Sequence, residues 1–379
     1  MYSFASFNEV TTTNDKNITY VDFVPSCTKK SGIVSKSKFQ PFSELMNKAN
    51  KWLNEHPNFA VKGCETIGSS VSSEQAVGEC TDTQKTNYHI KITTRTHSQG
   101  NTTTHTYIFN IWILKCLRLH IQPKGSDESP EPHQIGSLHI IPDLISESGI
   151  LSKAKYSAYS DTLKKANEYV NRNPIPGKIL NIEAVAIKRK NNKIKDDGSL
   201  LFESTEDNGN LTTMFRIFYL IGRPLYEKIA LKPNISERID YIVPRHTIRD
   251  YFNIMRVFYV TGPDIRIDYS IGISCKAFQP ALLMWKSSVK NTFETFKEFY
   301  VREIVPFISY NSHAQIINFE IVAKPMNEDQ ELMSPKRVPP KILTAEVRVY
   351  FIGPVSDPPP GYIQPKPVPV IKKQSCSIL

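Results

Sequence analysis

Cys376 stands fourth from the end of the 379-residue sequence and is followed by Ser377, Ile378 and Leu379. That order fits the C-a-a-X pattern for isoprenoid transfer, in which a cysteine thiolate is alkylated and an aliphatic residue, here Ile378, sits next to the last. A terminal Leu selects geranylgeranyl over farnesyl. One isoprenoid gives only reversible membrane binding, and Lys366, Lys372 and Lys373 each add roughly 1 kcal/mol of attraction to an anionic leaflet. The tail therefore predicts a chain held at the cytoplasmic face of a membrane through a geranylgeranyl group.

Three carboxylates form the second chemical pattern. Glu65, Glu183 and Glu320 occupy matching places in three strand-like segments, with Asn318-Phe319-Glu320 echoing Asn181-Ile182-Glu183. One acid per repeat could serve a site, although a glutamate on the solvent face of an amphipathic strand leaves the same trace and is the preferred reading. His97 and His105 flank a polar hairpin loop without a third ligand at supporting spacing, so no metal site is predicted. The sequence contains no G-x-S-x-G, H-E-x-x-H, G-x-G-x-x-G or G-x-x-x-x-G-K-[ST] motif. No catalytic residue and no cofactor are assigned.

The elements that must position these residues emerge from an internal repeat. Gly32–Pro57 aligns without gaps on Gly149–Pro174, an offset of 117 with eleven of 26 positions identical. Aromatic positions exchange like for like, Phe39 with Tyr156, Phe42 with Tyr159 and Trp52 with Tyr169. Both segments read as helices capped at Ser43 and Ser160, with Glu44 and Asp161 favoured by the helix dipole. Leu45, Met46, Ala49, Trp52 and Leu53 fall on one face, and each helix ends ahead of a proline, Pro57 or Pro174.

Strands follow at 60–67 and 178–187, and a third segment, 315–323, is preceded by a helix expected over 289–304. Runs of aromatic and β-branched residues ending on Gly read as closing strands: Arg216–Gly222, Arg256–Gly262 and Arg348–Gly353. In the first repeat the closing strand is placed at Thr104–Leu114, paired with Tyr88–Thr96. Val24-Pro25, Ile141-Pro142 and Val243-Pro244 echo one another at the entering strands, and Arg-Ile-Asp-Tyr occurs at Arg238 and Arg266.

The fold class predicted is α+β: tandem β-α-β-β modules, each a helix packed on a small, mostly antiparallel sheet. The expected division is 1–17, an N-terminal segment; 18–123, module 1; 136–224, module 2; 225–263, connecting strands; 264–354, a diverged module 3; and 355–379, a proline-rich tail. The tail composition, Pro358-Pro-Pro360 with Pro365, Pro367 and Pro369, predicts an extended linker without a core.

Composition narrows the class further. A 40% hydrophobic and 10% aromatic content supports folded cores. No secretory signal is visible in Met1–Val10, no segment reaches about 18 uninterrupted apolar residues, and the six cysteines lack C-x-x-C spacing. These features predict a cytoplasmic chain with reduced thiols. The net charge of +10 is spread out, and the one basic cluster, Lys188-Arg189-Lys190, precedes the turn signal Asp196-Asp197-Gly198, so a solvated hairpin is preferred to a nucleic-acid surface. The functional expectation is a prenyl-anchored binding or scaffold protein with a protein partner. The alternative is an enzyme acting on a small or lipid-linked substrate in a cleft between modules.

Overall fold

The computed structural model describes residues 18–29, 38–70, 83–84, 87–89, 91–99, 102–126, 129–147, 155–157, 159–173, 175–190, 193–194, 200–204, 211–222, 230–237, 254–261, 273–285, 292–325, 342–352 and 354–371. These form a mixed α+β fold, three small antiparallel sheets accompanied by few helices.

Along the chain, β1 (Thr19–Phe23) leads to a short hairpin of β2 (Cys27–Lys29) and β3 (Lys38–Phe39), then to helix α1 (Phe42–Glu55) and strand β4 (Phe59–Ser70). Strands β5 (Asn87–His89), β6 (Lys91–Gln99) and the long β7 (Thr102–Pro123) follow. The order then recurs as β8 (Ile135–Ile140), hairpin β9 (Leu144–Ser146) and β10 (Lys155–Tyr156), α2 (Tyr159–Arg172) and β11 (Gly177–Lys190). Strands β12 (Lys193–Ile194) and β13 (Leu200–Ser204) precede β14 (Leu211–Ile221). Strands β15 (Ala230–Glu237) and β16 (Ile254–Thr261) pair with each other. The third run is β17 (Ile273–Phe278), hairpin β18 (Leu282–Trp285) and β19 (Thr292–Phe293), a helical stretch, β20 (Gln315–Pro325) and β21 (Ile342–Ile352). Strand β22 (Val370–Ile371) lies in the tail.

Within each sheet the last strand of the run lies in the middle. The orders are β1-β7-β4, β8-β14-β11 and β17-β21-β20, all antiparallel. One register slip falls at the same place each time, between Val61 and Gly63, Ile179 and Asn181, and Ile316 and Asn318. Such bulges bend a strand and re-aim its side chains. Strands β4, β11 and β20 each lie beside the other two. The sheets also exchange strands: β13 joins β7 of the first sheet, and β5 joins β21 of the third.

The cores follow this arrangement. Phe42, Leu45, Met46, Ala49 and Leu53 of α1 pack on Leu117, Leu119 and Ile121, and the same cluster takes in Ile135, Leu180 and Phe218 from the second run. The third helix packs Phe296, Phe299, Tyr300, Ile304 and Phe307 on Val347, Val349 and Phe351, together with Ile18 and Tyr20 from the first run. Burial of this apolar area, at about 25 cal/mol per Å², is the main stabilising term.

Several expectations are corrected. Helix α1 begins at Phe42 behind Pro41, without a side-chain cap, so Ser43 lies inside the first turn. The third helix starts at Phe296, not near residue 289, because Thr295 and Glu298 form a reciprocal capping box and Phe293 belongs to the hairpin. It runs as α3 (Phe296–Phe299), a π-helical turn (Tyr300–Ile304) and α4 (Val305–Tyr310). In the π turn the Val305 amide bonds the Tyr300 carbonyl, and the next residue, Pro306, has no amide proton with which to restore an ordinary helical bond there. Of the run expected over 256–262, residues up to Thr261 form β16, which among the described residues pairs with β15 alone. In the first sheet the part of β7 that faces β4 is Ile113–Pro123, while 102–110 pairs with β6. The basic cluster ends β11 itself, and Lys190 pairs with Lys193, so the chain reverses ahead of Asp196. Val243-Pro244 lies outside the described residues; Gln279-Pro280 occupies the corresponding place after β17.

The proline-rich tail is not a free spacer. Val355 and Ile363 pack against the third core. Asn311 exchanges two hydrogen bonds with Ser356, 2.9 and 3.0 Å, and Lys276 meets Asp357 at 2.5 Å. Tyr362 packs edge-on against Tyr310, and β22 runs parallel to β18. An extended proline-rich chain forms no core of its own, yet it loses little entropy when laid on one.

Candidate functional site

The register places each of the three glutamates opposite an arginine of the central strand: Glu65 opposite Arg118, Glu183 opposite Arg216 and Glu320 opposite Arg348. Each Glu stands two residues beyond the bulge, so the slip that bends β4, β11 and β20 also sets where these side chains point.

In the first sheet Arg118 is fully buried and makes a two-pronged pair with Asp22, 2.6 Å on each arm. Burial opposes its charge, but Asp22 overrides that and keeps the guanidinium protonated. Its central carbon lies 3.6 Å from the centre of the Phe296 ring and 4.3 Å from that of Tyr20. Glu65, also buried, is left to His120, whose Nε2 lies 2.9 Å from Oε1. The His120 ring stacks on Phe319 at 3.8 Å, and its other nitrogen is 3.4 Å from the Tyr300 hydroxyl.

The second carboxylate reaches across to the first sheet. The backbone amide of Thr66 donates to Glu183 at 2.5 Å, and Asn181 donates to the carbonyl of Cys64 at 2.9 Å. Arg216, fully buried, donates to the Thr66 hydroxyl at 2.6 Å and to His139 at 3.1 Å, and lies 3.7 Å over the Phe42 ring. Accepting from a guanidinium requires that His139 Nε2 carry no proton. Burial pushes the Glu183 carboxyl up to about 7 against the pull of Arg216 and Thr66, and Glu183 Oε2 has no hydrogen-bond partner among the described residues. Burial and the neighbouring Arg216 bring the Lys115 ammonium down to about 7.

The third carboxylate is the most open. Glu320 accepts from Tyr350 at 2.7 Å and lies 3.6 Å from Arg348, which is held by Glu346 at 2.9 Å. The three acids are thus placed alike in their sheets and engaged by different donors.

The remaining candidates do not join them. His97 and His105 sit on the β6–β7 hairpin, in register with Thr104 and Thr96. Lys366 contacts Glu303 and the Gln279 carbonyl in the docked tail. Lys372, Lys373, Cys376, Ser377, Ile378 and Leu379 lie outside the described residues. Burial raises the Cys64 and Cys116 thiols, which leaves both poor nucleophiles. Among the described residues no three His, Cys, Asp or Glu side chains gather as a metal site, and no helix is long and apolar enough to cross a membrane.

Asp22, Arg118, His120 and Lys115 were not singled out from the sequence. Their signal was available in the order Arg118-Leu-His120, an Arg followed by alternating residues as in Arg216-Ile-Phe218 and Arg348-Val-Tyr350. No protein-family model, curated protein or solved structure matches this chain.

Proposed function

We propose that the chain is a scaffold of three tandem β-α-β-β modules, presented to a protein partner at the cytoplasmic face of a membrane by a geranylgeranyl group on Cys376. The observation that carries this reading is the internal use of the repeated carboxylates. Glu65 is held by His120, Glu183 by Thr66 of the neighbouring sheet and Glu320 by Tyr350. Only the Glu183 bond joins two sheets, since His120 and Tyr350 belong to the same sheets as Glu65 and Glu320, but carboxylates engaged in this way have little freedom to bind and transform a substrate. The docked tail supports the anchor, because it leads the chain along the third core before the terminal lysines and Cys376.

An enzyme working between modules is the second reading, favoured by Glu183 and Lys115, two groups brought to about 7 beside the same Arg216. Both are enclosed by packed strands, and the scaffold is preferred. The anchor is tested by labelling cells with an isoprenoid precursor and comparing the natural chain with Cys376→Ser. The expected result is loss of both label and membrane fractionation in the variant. Label and fractionation unchanged by the substitution would remove the anchor from the account.

A further inference from the structure

Strand β22 of the tail lies parallel to β18, with Val370 beside Met284 and Ile371 beside Trp285. The hairpin it extends has two counterparts of the same register. Leu282 faces Phe293, Leu144 faces Tyr156 and Cys27 faces Phe39, each followed by one slip. Leu144, Ile145 and Ser146 therefore stand where the third run has Leu282, Leu283 and Met284. On β18, which β22 extends at Met284 and Trp285, those three are half-buried. On β9 all three are exposed, Leu144 at 39% and Ile145 at 59%. Among the described residues β9 pairs with β10 alone.

A strand edge unpaired among the described residues and carrying two exposed aliphatic side chains is a place where proteins accept or guard against another strand. We propose that the edge of β9 left unpaired among the described residues is a docking site for an extended, proline-rich peptide strand of a partner protein, added parallel to β9 as β22 is added to β18. This inference rests on the scaffold reading and names what that scaffold holds. Main-chain hydrogen bonds would supply the attachment, and β-branched side chains lying over Leu144 and Ile145 would supply the preference. Prolines spaced between them keep the incoming strand extended in advance, which lowers its ordering cost.

The occupant is not the tail of a second copy. Each tail is already fixed to its own third core through Asn311, Lys276 and Tyr310. Tethering gives it an effective concentration in the millimolar range, roughly, which a second molecule has to outcompete. The first hairpin is a poorer host, since β2 reads Cys27-Thr28-Lys29, with Cys27 and Thr28 where β9 has Leu144 and Ile145 and a lysine where β9 has Ser146.

The test is a titration of the full chain with a fluorescent synthetic peptide carrying the sequence of residues 364–371, read by polarisation and by amide hydrogen exchange. The expected result is saturable binding, slowed exchange at residues 144–147, and binding about tenfold weaker in Ile145→Asp at unchanged Tm. Lys29→Asp on the first hairpin should bind as the natural chain does. Absence of binding at millimolar peptide, or binding indifferent to Ile145→Asp, would overturn the proposal. So would release of the docked tail with protection appearing at 282–285, or concentration-dependent self-association that protects 144–147 without peptide. The assay involves neither lipid nor membrane, so its failure and the failure of the Cys376 anchor are told apart.

Discussion

Arg118 lies 3.6 Å over the Phe296 ring, so the central strand of the first sheet is clamped to the first turn of the third helix. One step round, Arg216 lies 3.7 Å over Phe42, the first residue of α1. Each arginine lies over an aromatic at the start of a helix belonging to another sheet, where desolvation makes a cation–π contact worth about 2 kcal/mol or more. These contacts join the sheets with charged groups that a simple apolar core would lack.

Asp22 supplies both carboxylate oxygens to Arg118. Asp22→Ala leaves a buried guanidinium without its counter-charge, a change that costs about 3–5 kcal/mol. The urea midpoint should fall accordingly with little change in slope. The double variant Asp22→Leu with Arg118→Met should lose less than Asp22→Ala alone, because no uncompensated charge remains.

Arg216→Lys keeps the charge and loses the guanidinium contact with Phe42 together with the fork that serves Thr66 and His139. A loss of about 1–3 kcal/mol is expected. A double-mutant cycle with Phe42→Leu should give a coupling of about 0.5–2 kcal/mol, whereas independent effects would show that the two side chains do not interact.

The pH dependence of stability should have a minimum near neutrality from Glu183 and Lys115. Burial raises the Glu183 carboxyl to about 7, so between its ordinary value of 4.5 and that point the folded state binds more protons than the unfolded one. Stability from this group falls over that interval as pH rises. Burial and Arg216 lower Lys115 from 10.5 to about 7, so above 7 the unfolded state binds more protons and stability recovers. Glu183→Gln should remove the fall between 4.5 and 7, and Lys115→Met the recovery above it, in unfolding midpoints measured across pH.

Ending the chain after residue 353 uncovers the face that Val355 and Ile363 protect and removes the partners of Asn311, Lys276 and Tyr310. Hydrogen exchange should accelerate in 296–310 and 282–285 and stay unchanged in α1. Uniform acceleration, or none, would contradict a tail that braces the third core.

The first two helices were legible from the repeat that sets Phe42 against Tyr159, whereas the short hairpins that hold Phe39 and Tyr156 were not. The third helix, expected over 289–304, begins only at Phe296, because Phe293 fits a helical spacing with Phe296 and yet belongs to the hairpin. Arg118 was hidden by the length of β7, whose 102–110 half carries the clearer strand signal while the 113–123 half meets β4. That Glu65 would find His120 and Glu183 would find Thr66 depends on how sheets meet, and local pattern carries no record of it. The tail was misread for the same reason: proline content predicts extension and is silent on what the extended chain lies against.

The most direct test of the anchored-scaffold account is the intact mass of the protein isolated from its native cells. The account predicts a chain that has lost Ser377, Ile378 and Leu379 and carries a geranylgeranyl group on a methylated terminal Cys376. A mass corresponding to an unmodified chain through Leu379 would contradict it.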